Sequence, residues 1–287
     1  GETLDTTYLN LFPSAFFNIK ISKNYETGLN LSRRLDRPSY QQLNPFKFFL
    51  DPSTFRAGNP YLRPQYTWAF EWANTLFGKY TATLSFSRTL DNITEVIAPV
   101  EGQERVTVQT DKNLARYDYV GLSLNAPIEI AKWWSSVNDV QVYRGHYTGN
   151  LANTNLANGN LVVSLNTNNN FRFKNNWSAE LGCWYRTRMV YGFMNLDPQW
   201  ALNVGIQKSF LDRRATVRIN VTDVFWTSPP SAVITFRDYV EHFDVKRETR
   251  TINISLSWRY GSNQVAQARR RTGGAEEERR RASQGQG

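Results

Sequence analysis

The fold of this chain is decided by the stretch WSAELGCWYRTRMVYGF, residues 177–193. Its odd positions are apolar or aromatic except for Thr187, whereas its even positions include Glu180, Arg186 and Arg188. Because successive side chains of a β-strand point to opposite faces, the stretch predicts a strand with one apolar and one polar face. It is much longer than the roughly 5–6 residues of an ordinary strand. Its length fits a tilted strand that crosses a lipid bilayer in about 9–11 residues.

The same alternation recurs in ten further segments. They cover residues 12–22, 27–34, 66–72, 80–87, a strand that ends at 126, and residues 133–147, 161–173, 200–207, 217–222 and 251–258. We therefore predict an all-β fold: an antiparallel transmembrane β-barrel, here a partial barrel of about eleven long strands. A closed barrel of half the usual size is the alternative.

The connections between these segments alternate in length. The long ones cover residues 35–65, 97–104, 148–158 and 227–246, and most of the others are tight turns. This asymmetry is typical of outer-membrane barrels, whose long loops face outward and whose short turns face the periplasm. The aromatic residues then form two belts. The periplasmic belt contains Phe77, Tyr80, Trp133, Trp177, Phe210 and Trp258, and the outer belt contains Tyr66, Trp68, Tyr191, Phe193, Trp200, Phe225 and Trp226.

Composition excludes several other classes of protein. No run approaches the roughly 18 apolar residues of a membrane helix, and 14% of the residues are aromatic, which suits a barrel with two belts. The formal net charge is +9, but no basic helix or RNA-binding aromatic motif occurs, so no nucleic-acid partner is expected. Cys183 is the single cysteine, which rules out a disulfide within the chain.

Several motifs occur in an order that resembles bacterial TonB-dependent receptors, and most closely the branch of outer-membrane β-barrel family proteins. The core of the resemblance is RPSYQQLNPF at residues 37–46, DP at 51–52 and GNPYLRP at 58–64. LFPSA at residues 11–15, VTDVF at 221–225, LSWRYG at 256–261 and the Arg/Glu-rich tail also match, so the resemblance covers essentially the whole chain.

The resemblance implies a receptor in the outer membrane of a Gram-negative bacterium that imports a scarce ligand: a siderophore, an oligosaccharide or a peptide. Full-length members have a signal peptide, a plug inside a 22-strand barrel, and a TonB box through which the TonB complex supplies energy. This chain begins Gly-Glu-Thr, and the plug and the first half of the barrel have no counterpart in it. We therefore expect the C-terminal half of a barrel, whose partners are outer-membrane lipid, the missing plug and half-barrel, and an unknown small ligand.

Two groups of residues are candidates for ligand binding. The first lies in the motif-bearing loop, which the resemblance places on the outer side, and contains Arg37, Tyr40, Asn44, Asn59, Tyr61 and Arg63. The second is the pair Arg186 and Arg188, which could bind an anionic ligand in the lumen. The alternatives are that the first group folds its loop and that the second balances charge with acids such as Glu180.

No pattern in the sequence points to an enzyme, a metal site or a cofactor. Ser/His/Asp arrangements and metal-ligand spacings are missing, and His146 and His242 lie far apart. We expect residues 1–260 to form the barrel portion and residues 261–287 to be a charged, disordered periplasmic tail. A soluble all-β ligand-binding module and a passive outer-membrane pore are the alternative functions.

Overall fold

The structure, a computed structural model, describes residues 10–100, 102–103, 105–151, 154–236 and 239–260. This part of the chain is built almost entirely of strands, with one four-residue helix, α1 (Tyr40–Leu43). The strands are β1 (Ser14–Ser22), β2 (Tyr25–Asp36), β3 (Phe48–Asp51), β4 (Thr54–Arg56), β5 (Gln65–Leu76), β6 (Tyr80–Pro99), β7 (Thr107–Ala131), β8 (Trp134–Leu151), β9 (Thr154–Arg172), β10 (Trp177–Arg186), β11 (Met189–Tyr191), β12 (Met194–Leu196), β13 (Gln199–Phe210), β14 (Ala215–Thr222), β15 (Ser231–Phe236), β16 (Tyr239–Asp244) and β17 (Thr251–Trp258). No helix among these residues is long and apolar enough to cross a membrane.

The main sheet has 13 strands, and eleven of them form an antiparallel series in the order β1-β2-β5-β6-β7-β8-β9-β10-β13-β14-β17. The short strands β3 and β4 pair with each other beside this series, and β4 runs parallel to β7. Neighbours in this order are also neighbours in the sequence of spanning strands, as in an up-and-down barrel. The prediction of a partial barrel of about eleven long strands is confirmed. The sheet is open, because β1 and β17 lie at opposite edges and no described residue pairs with their free sides.

The two faces of the sheet differ as the alternation predicts. On the apolar face, side chains that pair across neighbouring strands form a continuous row over six strands: Leu29, Trp72, Leu84, Leu122, Val142 and Val163. The neighbouring row begins with Asn30, Glu71 and Ser85, on the opposite face. The grooves of the sheet are lined mainly by the polar side chains, so the polar face is the concave one. The apolar face is outward and uncovered, which suits contact with lipid.

The predicted strand over residues 177–193 is wrong in its second half. The ladder ends after Arg186, because the Thr187 hydroxyl accepts a hydrogen bond from Val163 N at 2.9 Å and Thr187 N donates to Val163 O. The chain then turns at Gly192, whose φ of +57° is in the left-handed region, and forms the β11–β12 hairpin. Phe193 is 5% exposed there, so it does not belong to an outer aromatic belt.

The predicted loop over residues 148–158 is also wrong. Strands β8 and β9 stay paired up to Leu151 and Thr154, well beyond the apolar part of the sheet. Asn150 Nδ2 donates to Asn155 Oδ1 across this hairpin at 3.0 Å. The polar, glycine-bearing sequence is typical of a loop, but a strand that projects beyond the bilayer needs no apolar face and can have the same composition.

A second sheet of order β11-β12-β15-β16 lies at the long-loop end. Together with the tips of the β6–β7 and β8–β9 hairpins it forms a unit that we call the cap. The cap has a hydrophobic core of buried side chains: Val96, Leu114, Tyr147, Leu156, Phe193 and Ile234. Tyr143 and Tyr147, on the concave face of β8, touch Met189 and Tyr191 of the second sheet, so the cap covers part of the mouth of the barrel.

Candidate functional site

The concave face is a polar trough. A groove of about 560 Å³ runs across β2, β5, β6, β7 and β8, and its lining includes Arg34, Asp36 and Glu71. A second groove, of about 320 Å³, follows β9, β10, β13 and β14. Serine, threonine and asparagine provide much of the lining of both grooves. Such a surface is suited to water or to a polar plug, because each side chain offers hydrogen bonds that lipid could not satisfy.

The second groove contains an ion pair between Glu180 and Arg218. Arg218 Nε also donates to Asn220 Oδ1 at 3.1 Å. Glu180 is therefore not the acid that balances Arg186 and Arg188, because its partner lies on β14, two strands away in the sheet.

Above the trough, tyrosine rings gather at the mouth. The centroids of Tyr117 and Tyr147 are 4.3 Å apart, those of Tyr119 and Tyr143 are 5.2 Å apart, and those of Tyr147 and Tyr191 are 6.1 Å apart in an edge-on arrangement. A cavity of about 70 Å³ remains between four of these rings and Met189. It can hold water but is too small for a whole ligand, so a ligand would contact the rims of these rings.

Gly145 makes this arrangement possible. A Cβ atom at Gly145 would lie 2.6 Å from the Tyr117 hydroxyl oxygen and 3.1 Å from its ring. The ring of Tyr117 therefore lies flat over the backbone of β8, where any other residue would displace it. Sequence reasoning missed this cluster, although tyrosines at alternate positions beside glycines, in YDYVG and YRGHY, were a readable signal.

Arg186 lies beside the tyrosines at the end of β10. Its Nη2 donates to Gln199 Oε1, and its Nε is buried and has no hydrogen-bond partner in the described structure. Gln199 Nε2 in turn donates to Ser228 O at 2.8 Å, which fixes the amide. Arg188 follows in the connection to β11 and donates to Asp197 Oδ1 at 3.1 Å. Arg186 thus bonds a neutral amide and has no acidic partner among the described residues, whereas Arg188 is paired with Asp197.

The other candidate residues lie in the segment between β2 and β5. Helix α1 begins with a capping box, in which the Ser39 hydroxyl and the Gln42 side chain each bond the other's backbone N–H. Gly58 N donates to Asn44 O, and a Cβ at Gly58 would lie 2.5–2.7 Å from three carbonyl oxygens at the end of the helix. Only glycine fits, so the RPSYQQLNPF and GNPYLRP motifs dock onto each other.

This segment is anchored on β6 and β7. Asn59 Nδ2 donates to Asp111 O at 3.1 Å, and Arg63 Nη2 donates to Asp91 Oδ1 at 2.6 Å. Asn44 and Asn59 also cap their own turns through bonds from Phe46 N and Tyr61 N. Arg37, Tyr40 and Tyr61 are exposed. Asn59 and Arg63 thus bond residues of β6 and β7, whereas Arg186 and Arg188 bond Gln199 and Asp197. No cluster of metal-ligating side chains occurs in the described ranges.

The architecture is that of an outer-membrane β-barrel protein. The chain belongs to the outer membrane protein beta-barrel family, whose model matches residues 1–258. The resemblance found in the sequence is thereby confirmed, and the family places the protein in the outer membrane. No curated protein matches the chain.

Two solved structures show the same fold at low sequence identity. The siderophore receptor PirA from Pseudomonas aeruginosa superposes with a TM-score of 0.54 at 15% identity, over 75% of this chain and 39% of that chain. A mutant of the ferric enterobactin receptor PfeA from the same bacterium, in complex with enterobactin, superposes with a TM-score of 0.53 at 13% identity. The superposition covers 86% of this chain and 40% of that chain. This chain therefore spans about two fifths of the length of these receptors.

Proposed function

We propose that this protein is the C-terminal part of an outer-membrane receptor that imports a scarce ligand with energy passed through TonB. The observation that carries the proposal is the mouth of the barrel, where Tyr117, Tyr143, Tyr147, Tyr191 and Arg186 gather between the cap and the polar trough. A ligand bound there would sit at the entrance of a passage whose wall is already polar.

The long-loop end is the outer side in this proposal, and the short turns and the tail of residues 261–287, which lie outside the described residues, are periplasmic. The plug and the remaining strands would cover the concave face and pair with the free edges of β1 and β17. Support comes from the open sheet and from the two-fifths coverage of the solved receptors.

The chemistry of the mouth favours a flat, anionic or hydroxyl-rich ligand. Tyrosine rings stack on planar groups and donate a hydroxyl, and a guanidinium group binds carboxylates or catecholates through charge-assisted hydrogen bonds. An iron-bound siderophore meets these requirements best, and the fold shared with a siderophore receptor supports it. Oligosaccharides and peptides are the second choice. Arg37, Tyr40, Asn44, Asn59, Tyr61 and Arg63 take part mainly by holding the outer loop in place.

The test is uptake of labelled ferric siderophores by cells that carry the complete receptor. Arg186→Gln with Tyr143→Ala should lower uptake about tenfold or more, since a hydrogen bond to a charged group contributes about 1.5–3 kcal/mol. Tyr80→Ala, at the short-turn end, is the matched control and should leave uptake unchanged. Deletion of TonB should abolish uptake.

Uptake that continues without TonB would contradict the proposal and favour the passive pore.

The soluble-module alternative has lost its support, because the family is an outer-membrane one and the apolar face of the sheet is uncovered. No catalytic role is proposed for any residue.

A further inference from the structure

Charged side chains interrupt the apolar band on the outward face near the long-loop end. One apolar row consists of Leu31, Phe70, Phe86 and Val120, which are neighbours across β2, β5, β6 and β7. The next row toward the long loops consists of Arg33, Trp68, Arg88 and Asp118, followed on β8 by His146. The row beyond it consists of Leu35, Tyr66, Leu90 and Arg116. A charged boundary thus crosses the outward face, with three arginines and one aspartate among apolar and aromatic side chains.

Aromatic rings mark this boundary as the level of the lipid headgroups. The guanidinium carbon of Arg33 lies 5.3 Å from the centroid of Tyr66, 5.7 Å from that of Trp68 and 5.9 Å from that of Phe12. Tyrosine and tryptophan on a lipid-facing surface concentrate at the interface between hydrocarbon and water. Arg33 also donates to Leu11 O, so it is held by its own chain and is not counted in the site below.

Two further arginines share one carboxylate. Arg88 Nε lies 2.6 Å from Asp118 Oδ1, and Arg116 Nε lies 2.8 Å from Asp118 Oδ2. Their side chains are 46% and 40% exposed. One aspartate neutralises only one of the two charges, and the described residues supply no other acid to this pair. The pair therefore remains a net cation with guanidinium donors open to an external acceptor.

A third arginine lies one row lower, inside the apolar band. Arg144 pairs across the sheet with Val120 on one side and Leu161 on the other, which are 47% and 59% exposed. It is diagonal to Asp118, about 7–8 Å away by the geometry of antiparallel strands. Arg144 has no hydrogen-bond or ion-pair partner in the described part of the chain. A charge on the lipid-facing side is costly there unless it reaches an anion at the interface.

We propose that Arg88, Arg116 and Arg144 form a binding site on the outward face for the phosphate groups of a membrane lipid. Guanidinium groups bind phosphate oxygens in pairs, and three of them around one carboxylate leave an unmatched positive charge at headgroup depth. This proposal rests on the proposed function in one respect, which is that the long-loop end is the outer end. The lipid headgroups at that end then belong to the outer leaflet. Ligand uptake is not part of the argument.

Lys208, a cation on the outward face at the short-turn end, has its partners within the protein. Lys208 donates to Asn175 O and lies over the rings of Trp177 and Phe210, at 5.0 Å and 5.7 Å from their centroids. Its charge is used within the protein. At the long-loop end, by contrast, Arg88, Arg116 and Arg144 lie on the adjacent strands β6, β7 and β8 and together exceed the single charge of Asp118.

The test uses the complete receptor, purified in detergent, and compares binding of bisphosphorylated lipid A, of the same lipid without phosphates, and of inorganic phosphate. The wild type should bind the phosphorylated lipid on the order of tenfold to a hundredfold more tightly than the dephosphorylated one. Inorganic phosphate should compete weakly, because it lacks the acyl chains that lie on Val120 and Leu161.

The site variant combines Arg88→Gln, Arg116→Gln and Arg144→Gln with Asp118→Asn, which avoids an unpaired carboxylate. It removes three positive charges and one negative charge. The matched control, Lys79→Gln with Lys132→Gln, removes two positive charges from the short-turn end. The site variant should lose the preference for phosphate and the control should keep it. Heat-modifiable gel migration checks folding.

Arg144→Gln alone keeps the test decisive if the fourfold variant does not fold, because Arg144 has no partner within the described chain. It should weaken binding of the phosphorylated lipid several-fold. The proposal is overturned if the wild type binds both lipids alike, if the site variant or Arg144→Gln retains full preference, or if inorganic phosphate competes as well as the lipid does.

Discussion

At the scale of single residues, Asp223 shows how one carboxylate organises a loop. Its two oxygens accept bonds from Thr227 N at 2.9 Å, Ser228 N at 3.1 Å, Ser228 Oγ at 2.6 Å and Thr249 Oγ1 at 2.5 Å. Burial would raise the pKa of Asp223, but the bonds from Ser228, Thr249 and Thr227 together hold the pKa well below its usual value. The charged form therefore fastens the ends of the loop between β14 and β17.

A pH dependence follows from this pKa. Because the folded pKa is depressed, the contribution to stability is complete above the ordinary aspartate value of 3.8 and is lost as the pH falls below it. Asp223→Asn should destabilise the loop by about 1–3 kcal/mol at pH 7 and remove this dependence. Hydrogen-exchange protection of the Thr227 and Ser228 amides, followed as a function of pH, measures both the stability of the loop and its pH dependence. Asp212→Asn, at an exposed turn, is the control, and equal loss of protection in both variants would contradict the assignment.

Single substitutions can also test which side chains of β10 face lipid and which face the interior of the barrel. Leu181 is on the outward face, beside Val204 of β13. Leu181→Arg puts a charge toward lipid and should cost about 2–4 kcal/mol near the bilayer midplane. Gly182→Ser, on the polar face, should be far milder, since a Cβ there meets no atom closer than 3.8 Å. Folding of the complete receptor into liposomes is the measurement. Equal effects of the two variants would show that the facing is wrong.

At the scale of elements, the cap is packed like a soluble domain. Ile234 on β15 is 1% exposed in its core, whereas Val240 on β16 is 56% exposed. Ile234→Ala should destabilise the cap by about 2–5 kcal/mol through lost burial and the cavity left behind. Limited proteolysis should then cut the cap loops faster while the spanning strands stay protected. Val240→Ala should leave the cleavage rate unchanged, and a barrel that unfolds with the Ile234 variant would contradict the separation of cap and sheet.

The spanning strands could be predicted from the sequence, but the cap could not. Alternation with a period of two is a local property, so Leu181 and Gly182 revealed their faces without any partner. The cap depends on pairing between distant segments, such as Met194 with Ile234, which no local pattern encodes. Thr187 ended its strand through a side-chain bond, although the alternation continued beyond it. The tyrosine cluster was missed because its rings meet only after β7, β8 and β11 are in place.

At the scale of the whole molecule, the open edges govern stability. Strand β17 is exposed along its full length, and Ile252, Ile254 and Leu256 are 68–73% exposed. Inside a membrane an edge strand leaves backbone N–H and C=O groups unpaired, at a cost of several kcal/mol each. Residues 1–287 expressed alone should therefore aggregate or pair with another copy. The measurement is refolding into detergent, with gel migration and ligand uptake as readouts.

The control for this experiment is the complete receptor, refolded in parallel. A monomer of residues 1–287 that folds reversibly and transports ligand would contradict this prediction and favour a small self-contained barrel.

The core of the cap also bears on the order of assembly. Its six buried side chains come from six stretches of chain: β6, β7, β8, β9, the β11–β12 turn and β15. This core can close only after all six stretches have reached the same side of the membrane. We therefore expect that a chain with one hairpin left behind has an open cap, whose uncovered core residues would be sensitive to protease.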